Sequence, residues 1–399
     1  MTAVDRSTPP AADTRSPLKS WLAVWAIALG IFSLMTSELL PVGLLTPVGS
    51  DLHVSDGTAG LMVTVPGLVA AVSAPLITVT AGRLDRRLVL CVLIGLVGAA
   101  NLASAFAPNF ATVLAARFLV GVSVGGFWAI AGGLAVRLVP EKQVPRAMAV
   151  IFGGVSTASV VGVPAGTLAG ELSSWRTAFA AVGVLGLVAL ACKLWLVPPL
   201  PATQTIRLAE LPRLFRETAG VRIGVAVTFL LITGQFVAYT FVRPILQDIS
   251  GVDPDLISTL LLGYGVAGIV GNTVASSWAA RDVRRTLLVI AVALTAAMAL
   301  FPLIGTSPAG GIGLLVVWGL AYGGVSVSLQ TWMMKAAPQA SEAASSLFVA
   351  AFNLSIALGA LVGGLAVDAL ATTSVLWVGG ALVLLTALTA WSARRTQVS

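Results

Sequence analysis

Arg117-Phe-Leu-Val-Gly121-Val-Ser-Val-Gly125-Gly-Phe-Trp128 sets one permanent positive charge inside a long apolar run notched by glycines. On insertion scales an arginine near the middle of a bilayer costs at least about 2.5 to 3.5 kcal/mol, so it is expected to face a partner, a cavity or water. At helical spacing Arg117, Gly121, Gly125, Trp128 and Gly132 share one face, which reads as the wall of a pathway.

The rest of the chain has the same apolar character. Of its 399 residues 57% are hydrophobic and 10% charged, far from the roughly 25% charged average of soluble domains, so it is an integral membrane protein. Apolar stretches of about twenty residues recur between short polar or Gly/Pro breaks, the helical rather than the β-barrel pattern. They predict an all-α membrane protein of twelve transmembrane helices, over 20–46, 58–80, 88–107, 110–137, 146–170, 176–197, 222–246, 255–279, 286–305, 310–334, 343–368 and 373–392. The first does not read as a cleaved signal peptide, because its apolar run is too long.

The formal charge of +7 suggests nucleic acid until the charges are placed. With twelve spans, Arg83 to Arg87, Lys193, Arg213, Arg281 to Arg285 and most other basic residues fall on the side of the termini, leaving only Arg176 and Arg243 opposite. The excess of basic residues in cytoplasmic loops then puts both termini in the cytoplasm. Asp51, Asp56, Glu171, Asp248, Asp253, Asp255 and Asp368 fall on the outer side.

The break at Pro198-Pro-Leu-Pro201 divides the chain into a tail (1–19), a six-helix bundle (20–197), a basic linker (198–221), a second six-helix bundle (222–392) and a tail (393–399). A shift of 198 residues aligns the bundles without a gap: Arg86 and Arg87 fall on Arg284 and Arg285, Gly121 and Gly125 on Gly319 and Gly323, Gly166 on Gly364. Such parallel repeats suit a rocking transporter with its site between the halves. The embedded charges are not repeated: Arg117 aligns with Leu315 and Glu38 with Phe236.

Glu38 lies past the middle of the first helix, where Pro41 and Gly43 weaken the helix and expose backbone groups. A carboxylate removed from water favours its protonated form and is able to load and release a proton. Glu38 and Arg117 therefore read either as a proton-coupling pair or as a structural ion pair. Gly154, Ala158, Gly162, Gly166 and Gly170 form a small-residue stripe beside Pro164, absent from the second half, which reads as a hinge or seal or as ordinary helix packing. Gly82, Asp85, Arg86 and Arg87, echoed by Asp282, Arg284 and Arg285, suggest a latch between helix ends. Candidate substrate contacts are Trp128, Gln235, Tyr239, Asn272, Tyr322, Gln330, Trp332 and Asn353, whose aromatic faces and amides suit a flat, hydrogen-bonding solute, though each also suits packing. Arg243, beside Pro244, reads equally as a gate or an interfacial anchor. His53 is the only histidine, so it builds no metal cluster. An intramembrane enzyme would need converging nucleophile, base or metal ligands, and only Glu38 and Arg117 are deeply embedded. A transport-like receptor finds no appended signalling domain to support it.

These segments resemble the major facilitator superfamily over essentially the whole chain, and within it the drug:proton antiporter branch. The resemblance is carried by Gly82 to Arg87, by Arg117-x-x-x-Gly121-x-x-x-Gly125-Gly126, and by Gly162-x-Pro164-x-Gly166-x-x-x-Gly170 followed by Trp175-Arg176-x-x-Phe179. Gly125-Gly-Phe-Trp-Ala129, Arg137-Leu-Val-Pro140, Val150-Ile-Phe-Gly153, Gly170-Glu-Leu172 and Thr331-Trp332 are similar to bacterial purine ribonucleoside efflux pumps. The resemblance implies a monomeric multi-pass protein of the bacterial inner membrane that exports purine nucleosides against inward proton flow, using the proton gradient and no cofactor. It leaves sugar or drug export, chloramphenicol for example, as the nearest alternative. One departure is visible: the family's loop usually reads Gly-x-Leu-Ala-Asp-Arg-x-Gly-Arg, whereas here Asp85 comes one residue early and the second glycine is missing.

Overall fold

The computed structural model describes residues 17–80, 84–131, 134, 137–201 and 210–392; Gly82 of the expected latch and Gly132 of the glycine face lie outside them. Hydrocarbon offers no partners to backbone N–H and C=O groups, so an apolar chain of this kind satisfies them within helices. Helix α1 is Pro17–Asp51, α2 is Leu61–Thr80 after a turn at Asp56–Ala59, α3 is Arg86–Ala105 and α4 is Phe110–Ala131. Helix α5 joins Val144–Thr157 to Val163–Leu172 through a π turn, and α6 is Trp175–Leu196. A short helix, Glu210–Glu217, occupies part of the expected linker.

The second bundle opens with α7, Ala219–Tyr239, extended by Val242–Pro244 and a π turn at Ile245–Ile249. Ile257–Ile304 runs as one 48-residue helix broken by non-helical backbone at Asp282, which divides it into α8 (257–281) and α9 (283–304). Helix α10 comprises Pro308–Gly323 and Val325–Ala336, α11 is Ser341–Ala369 and α12 is Ser374–Ser392. Among the described residues ten helical segments are long and apolar enough to cross a bilayer. One of these holds both α8 and α9, and the π-interrupted α5 completes the twelve.

The glycines show how the bundles close. A Cβ on Gly121 would meet Pro66 O at 2.6 Å and Val69 Cβ at 2.7 Å, and one on Gly125 would meet Ala70 O at 2.5 Å. The Arg117 face of α4 is therefore a seam against the backbone of α2, and the expected pathway wall is corrected: glycines on that face serve close helix approach. The repeat preserves this seam, since Gly319 lies against Tyr264 O and Gly323 against Gly268 of α8. The α5 stripe packs along α1, with Gly154 on Ala28, Gly162 on Thr36, Gly166 on Leu40 and Gly170 on Leu44. Around its π turn the same helix also lies against Gly265 of α8, in the other half. The π turn at Ala158–Gly162 sits just ahead of Pro164, where Val163 N reaches back to Ala158 O. Widening by one residue accommodates the donor that Pro164 lacks.

We call the end of the molecule that carries both Pro17 and Ser392 the near end and the opposite one the far end. One apolar core unites both halves at the far end, through Leu40, Val48, Met62, Phe179, Phe241 and Leu261. A separate core, built from Val24, Ile31, Leu93, Val124 and Ile151, belongs to the near end of the first half alone. The halves thus share an interior at one end only.

Alanine at Gly125 is expected to destabilise the protein by about 1 to 3 kcal/mol, because the added methyl meets backbone. Alanine at Gly153, which has nothing within 4 Å of the added atom, is expected to be neutral or mildly stabilising. Thermal unfolding in detergent compares the two.

Candidate functional site

Proline carries no N–H, so inside a helix it leaves the carbonyl four residues earlier without its donor. Pro41 does this to Ser37 in α1, and Pro66 to Met62 in α2. Arg117 answers both. Its Nη2 donates to Ser37 O at 2.9 Å and, at 3.3 Å, to Glu38 O, while its Nε donates to Met62 O at 3.1 Å. The side chain is fully buried, and Nη1 alone has no partner. The expected pairing with Glu38 takes a different form: the guanidinium holds that residue's backbone. The carboxylate is not within ion-pair distance, although the two charges interact electrostatically.

The 198-residue repeat turns this into a comparison. Pro41 aligns with Tyr239, Pro66 with Tyr264, Arg117 with Leu315 and Glu38 with Phe236. Where the second half lacks both prolines it also lacks the arginine, and tyrosines replace the prolines. Tyr239 and Tyr264 stack with centroids 4.8 Å apart at 23°, and Tyr322 stacks 6.5 Å from each. These are all three tyrosines of the chain. Gln235 fixes the cluster by donating to Tyr264 Oη at 3.1 Å and accepting from Trp318 Nε1 at 2.8 Å. Tyr322, the most open of the three, lies within electrostatic range of Glu38 across the interface between halves.

At the far end a third proline repeats the first device. Pro47 frees Gly43 O, which accepts from Arg243 Nη1 at 2.7 Å, an arginine of the other half. Arg243 also pairs with Glu171 at 3.3 Å, both nearly buried, and Glu171 accepts from Ser258 Oγ at 2.7 Å. The pseudo-symmetric contact is Asp368, which accepts from Ser55 Oγ at 2.7 Å and from Gly57 N at 3.1 Å. In each half an acidic residue at the far end of the fifth helix thus meets the start of the second helix of the other half. Arg243 lies in a contact between the halves with Glu171 and Ser258, and Asp368 and Ser55 form its counterpart; of these the sequence placed Glu171 and Asp368 only on the outer side, and the acidic residue closing each fifth helix is the signal for the contact. Nearer the middle, Gly265 of α8 lies against Val160 Cα and Ser159 O of the α5 π turn.

The other expected residues scatter. Asn272 lies seven and fourteen residues beyond Gly265 and Ser258, on the same face of α8, and is exposed where the halves part. Trp332 is a correction as a solute contact: it is fully buried and donates to Gly220 O at 3.0 Å. Asn353 is turned onto its own helix at Val349 O, Gln330 joins Ser345 at 3.5 Å, and Trp128 packs edge-on to Phe127. None of these four reaches the tyrosine cluster. The described contacts of the latch residues are with their own half and with the start of the linker. Asp85 caps α3 and also accepts from Leu200 N at 2.9 Å, and Arg87 donates to Leu194 O at the end of α6. Asp282 accepts from Arg285 N at 3.0 Å and pairs with its side chain, while Arg284 donates to Ala390 O and Trp391 O at the end of α12. Counted from the aspartate, the arginine two residues on does the same work in both halves, so Arg87 corresponds in role to Arg284, one place from the gap-free register. Arg86 donates its N–H to Leu200 O at 2.8 Å.

Two six-helix bundles meeting over a polar and an aromatic face define a membrane transporter, and the family comparison agrees. A model of the Major Facilitator Superfamily matches residues 27–349 and 224–398, and the chain belongs to that superfamily. It is 35% identical over 371 residues, 92% of this chain and 93% of the relative, to the purine ribonucleoside efflux pump NepI of Escherichia coli (strain K12). The pump of the same name from Shigella dysenteriae serotype 1 (strain Sd197) matches to the same extent. Among solved structures, a bacterial homolog of the human lysosomal transporter Spinster, inward-facing and unoccupied, superposes with a TM-score of 0.72 at 15% identity, covering 94% of this chain and 98% of that one. That likeness shows the fold.

Glu171→Gln combined with Asp368→Asn is expected to loosen the far end. Spin labels at Leu172 and Asp255, one on each half, should report a longer mean separation in the double variant than in the parent; an unchanged distance distribution would remove the gate role.

Proposed function

We propose that the chain is a proton-coupled efflux antiporter that exports purine ribonucleosides or their analogues across the bacterial inner membrane by alternating access. It works as a monomer with both termini in the cytoplasm, powered by the proton gradient and without a cofactor. The observation that carries this reading is the juxtaposition of Glu38, the acid embedded in the first half, with Tyr322 at the open edge of the tyrosine stack of the second. A proton site and an aromatic platform share one interface.

The chemistry follows from these groups. A purine is a flat π system with polar edges, suited to an offset-stacked tyrosine face and a nearby acceptor. Tyr322 offers the face, Gln235 and Trp318 hold the stack rigid, and the ionised Glu38 carboxylate accepts from the donors of the solute. In the state with the far end closed, solute enters from the cytoplasm while Glu38 is ionised. After the halves rock, a proton arriving from outside occupies Glu38 and removes the acceptor, so solute leaves. The protonated carrier returns and gives its proton to the more alkaline cytoplasm. Arg117 Nη1 has no hydrogen-bond partner, and in this reading it follows the carboxylate between these states. The relatives named as purine ribonucleoside efflux pumps support the solute class.

Purified protein in liposomes with an imposed pH gradient tests the proposal. Inosine should move, in preference to chloramphenicol and arabinose, at a rate that rises with the gradient. Glu38→Gln should lower gradient-driven movement about 100-fold, the scale of a positioned proton-transfer group. Tyr322→Ala should weaken apparent affinity by about 5-fold or more, from the loss of one stacking contact. Preference for chloramphenicol or arabinose would overturn the solute class, and gradient-driven transport surviving in Glu38→Gln would place the proton elsewhere.

A further inference from the structure

Lys193 falls among the basic residues expected on the side of the termini, and it does lie toward that end, but its side chain does not reach water. It lies in the last turn of α6, where a lysine ordinarily snorkels to water. Here the side chain turns into the first bundle and is 1% exposed. Its Nζ rests against Gly30 of α1, in place of any side chain there, and lies 5.8 Å from the ring centroid of Phe127. A water-sized cavity adjoins it, bounded by Gly30, Leu34, Ser123 and Phe127 among others. Among the described residues no carboxylate stands within ion-pair distance. The titratable group facing Lys193 is the Cys91 thiol of α3, with Asp85 and Arg87 at the start of that helix; α1 and α4 present only Gly30, Leu34, Ser123 and Phe127.

An ammonium buried without a counter-ion is costly, so such a group is retained for a reason other than packing. A line of polar groups leads from it toward Arg117 and Glu38. On α1, Ser33 and Ser37 follow Gly30 at three and seven residues, one helix face. Ser33 Oγ is buried beside Gly186 of α6 with no protein partner. Ser37 Oγ accepts from Asn101 Nδ2 at 2.7 Å, and the Oδ1 of that buried asparagine is also unpartnered. Ser37 O receives Arg117, and Glu38 follows next in sequence. From Gly30 to Glu38 is eight residues, about 12 Å along the helix. In the second half Lys193, Ser33, Asn101 and Arg117 align with Trp391, Leu231, Ala299 and Leu315, so the line is lost together with the embedded charges.

We propose that Lys193 is a second proton-binding group of the transport cycle, exchanging a proton with Glu38 along the line of Ser33, Ser37 and Asn101 inside the first bundle. The inference rests on the proton-coupled reading above. In the step the O–H bond of the Glu38 carboxylic acid breaks and an N–H bond forms on the neutral Lys193 amine. Carboxylate and ammonium result, and the total charge of the bundle does not change. Lys193, in the last turn at the near end, then releases the proton to the cytoplasm. The net charge of the bundle is conserved in the internal transfer while two opposite charges separate, the carboxylate within reach of the Arg117 charge and the ammonium beside the Phe127 ring.

Lys193→Met and Lys193→Arg, reconstituted in liposomes, test this against the wild type. Rates of gradient-driven inosine movement are taken over a series of internal pH values, with proton flow read by an entrapped dye. Both variants should lose gradient-driven transport by about 100-fold, the scale of a positioned proton-transfer group, and should show a flattened pH profile, since neither side chain exchanges protons in this range. The methionine variant should melt at or above the wild-type temperature, because a buried unpaired charge has been removed. A wild-type rate and pH profile in either variant overturns the proposal, and so does restoration by arginine of what methionine loses, which would mark a fixed structural cation. Should the methionine variant fail to fold, the arginine variant alone decides on the same criterion. A wild type with no gradient-driven transport would instead overturn the transport reading itself.

Discussion

An apolar interior does not forgive an unpaired carbonyl, and at three of the prolines inside this chain's membrane helices, Pro41, Pro47 and Pro66, an arginine takes up the carbonyl that is left. Arg117 takes the two freed by Pro41 and Pro66, and Arg243 takes the one freed by Pro47. A buried acceptor left alone costs about 1 to 3 kcal/mol, and a bond to a charged donor is among the stronger hydrogen bonds available. The prolines therefore make the buried arginines tolerable, and the arginines make the prolines tolerable. The first pairing ties α1, α2 and α4 together beside Glu38, and the second ties α1 to the opposite half.

This reciprocity explains why the two halves share a scaffold yet differ in chemistry. The glycine seams between α2 and α4 and between α8 and α10 repeat, because close helix approach is needed in both. At the positions of Pro41, Pro66 and Arg117 the second half has Tyr239, Tyr264 and Leu315, so at these positions the helix carries its own N–H donors and needs no cation. One half thereby supplies charge and the other an aromatic stack. Glu38 and Tyr322 lie within electrostatic range of each other across the interface, which the repeat alone does not provide.

Much of the fold was legible in the sequence, because hydropathy marks spans and the 198-residue repeat marks halves. The role of Gly121 and Gly125 was not: periodicity tells which residues share a face but not whether that face meets water or a neighbouring backbone. Pro41 could be read as exposing backbone groups, yet the partner of Ser37 O lies 80 residues on, and nothing local names it. Lys193 was legible only as one of the basic residues on the side of the termini, since sequence gives its depth but not the direction of its side chain. Glu171 and Asp368 were visible as outer acids only, for their partners belong to the other half. A proline four residues beyond a carbonyl, with an arginine at matching depth in another helix, is a pattern that sequence reading could search for directly.

The most direct test compares Arg117→Leu in two backgrounds by reversible unfolding in mixed micelles. In the natural background the change should cost about 2 kcal/mol or more, since Ser37 O and Met62 O both lose their donor. With Pro41→Ala and Pro66→Ala already in place, the helices satisfy those carbonyls themselves, and the same change should become neutral or stabilising, because it then removes only a buried charge. An equal cost in both backgrounds would contradict the account and show that Arg117 is held by something other than the prolines.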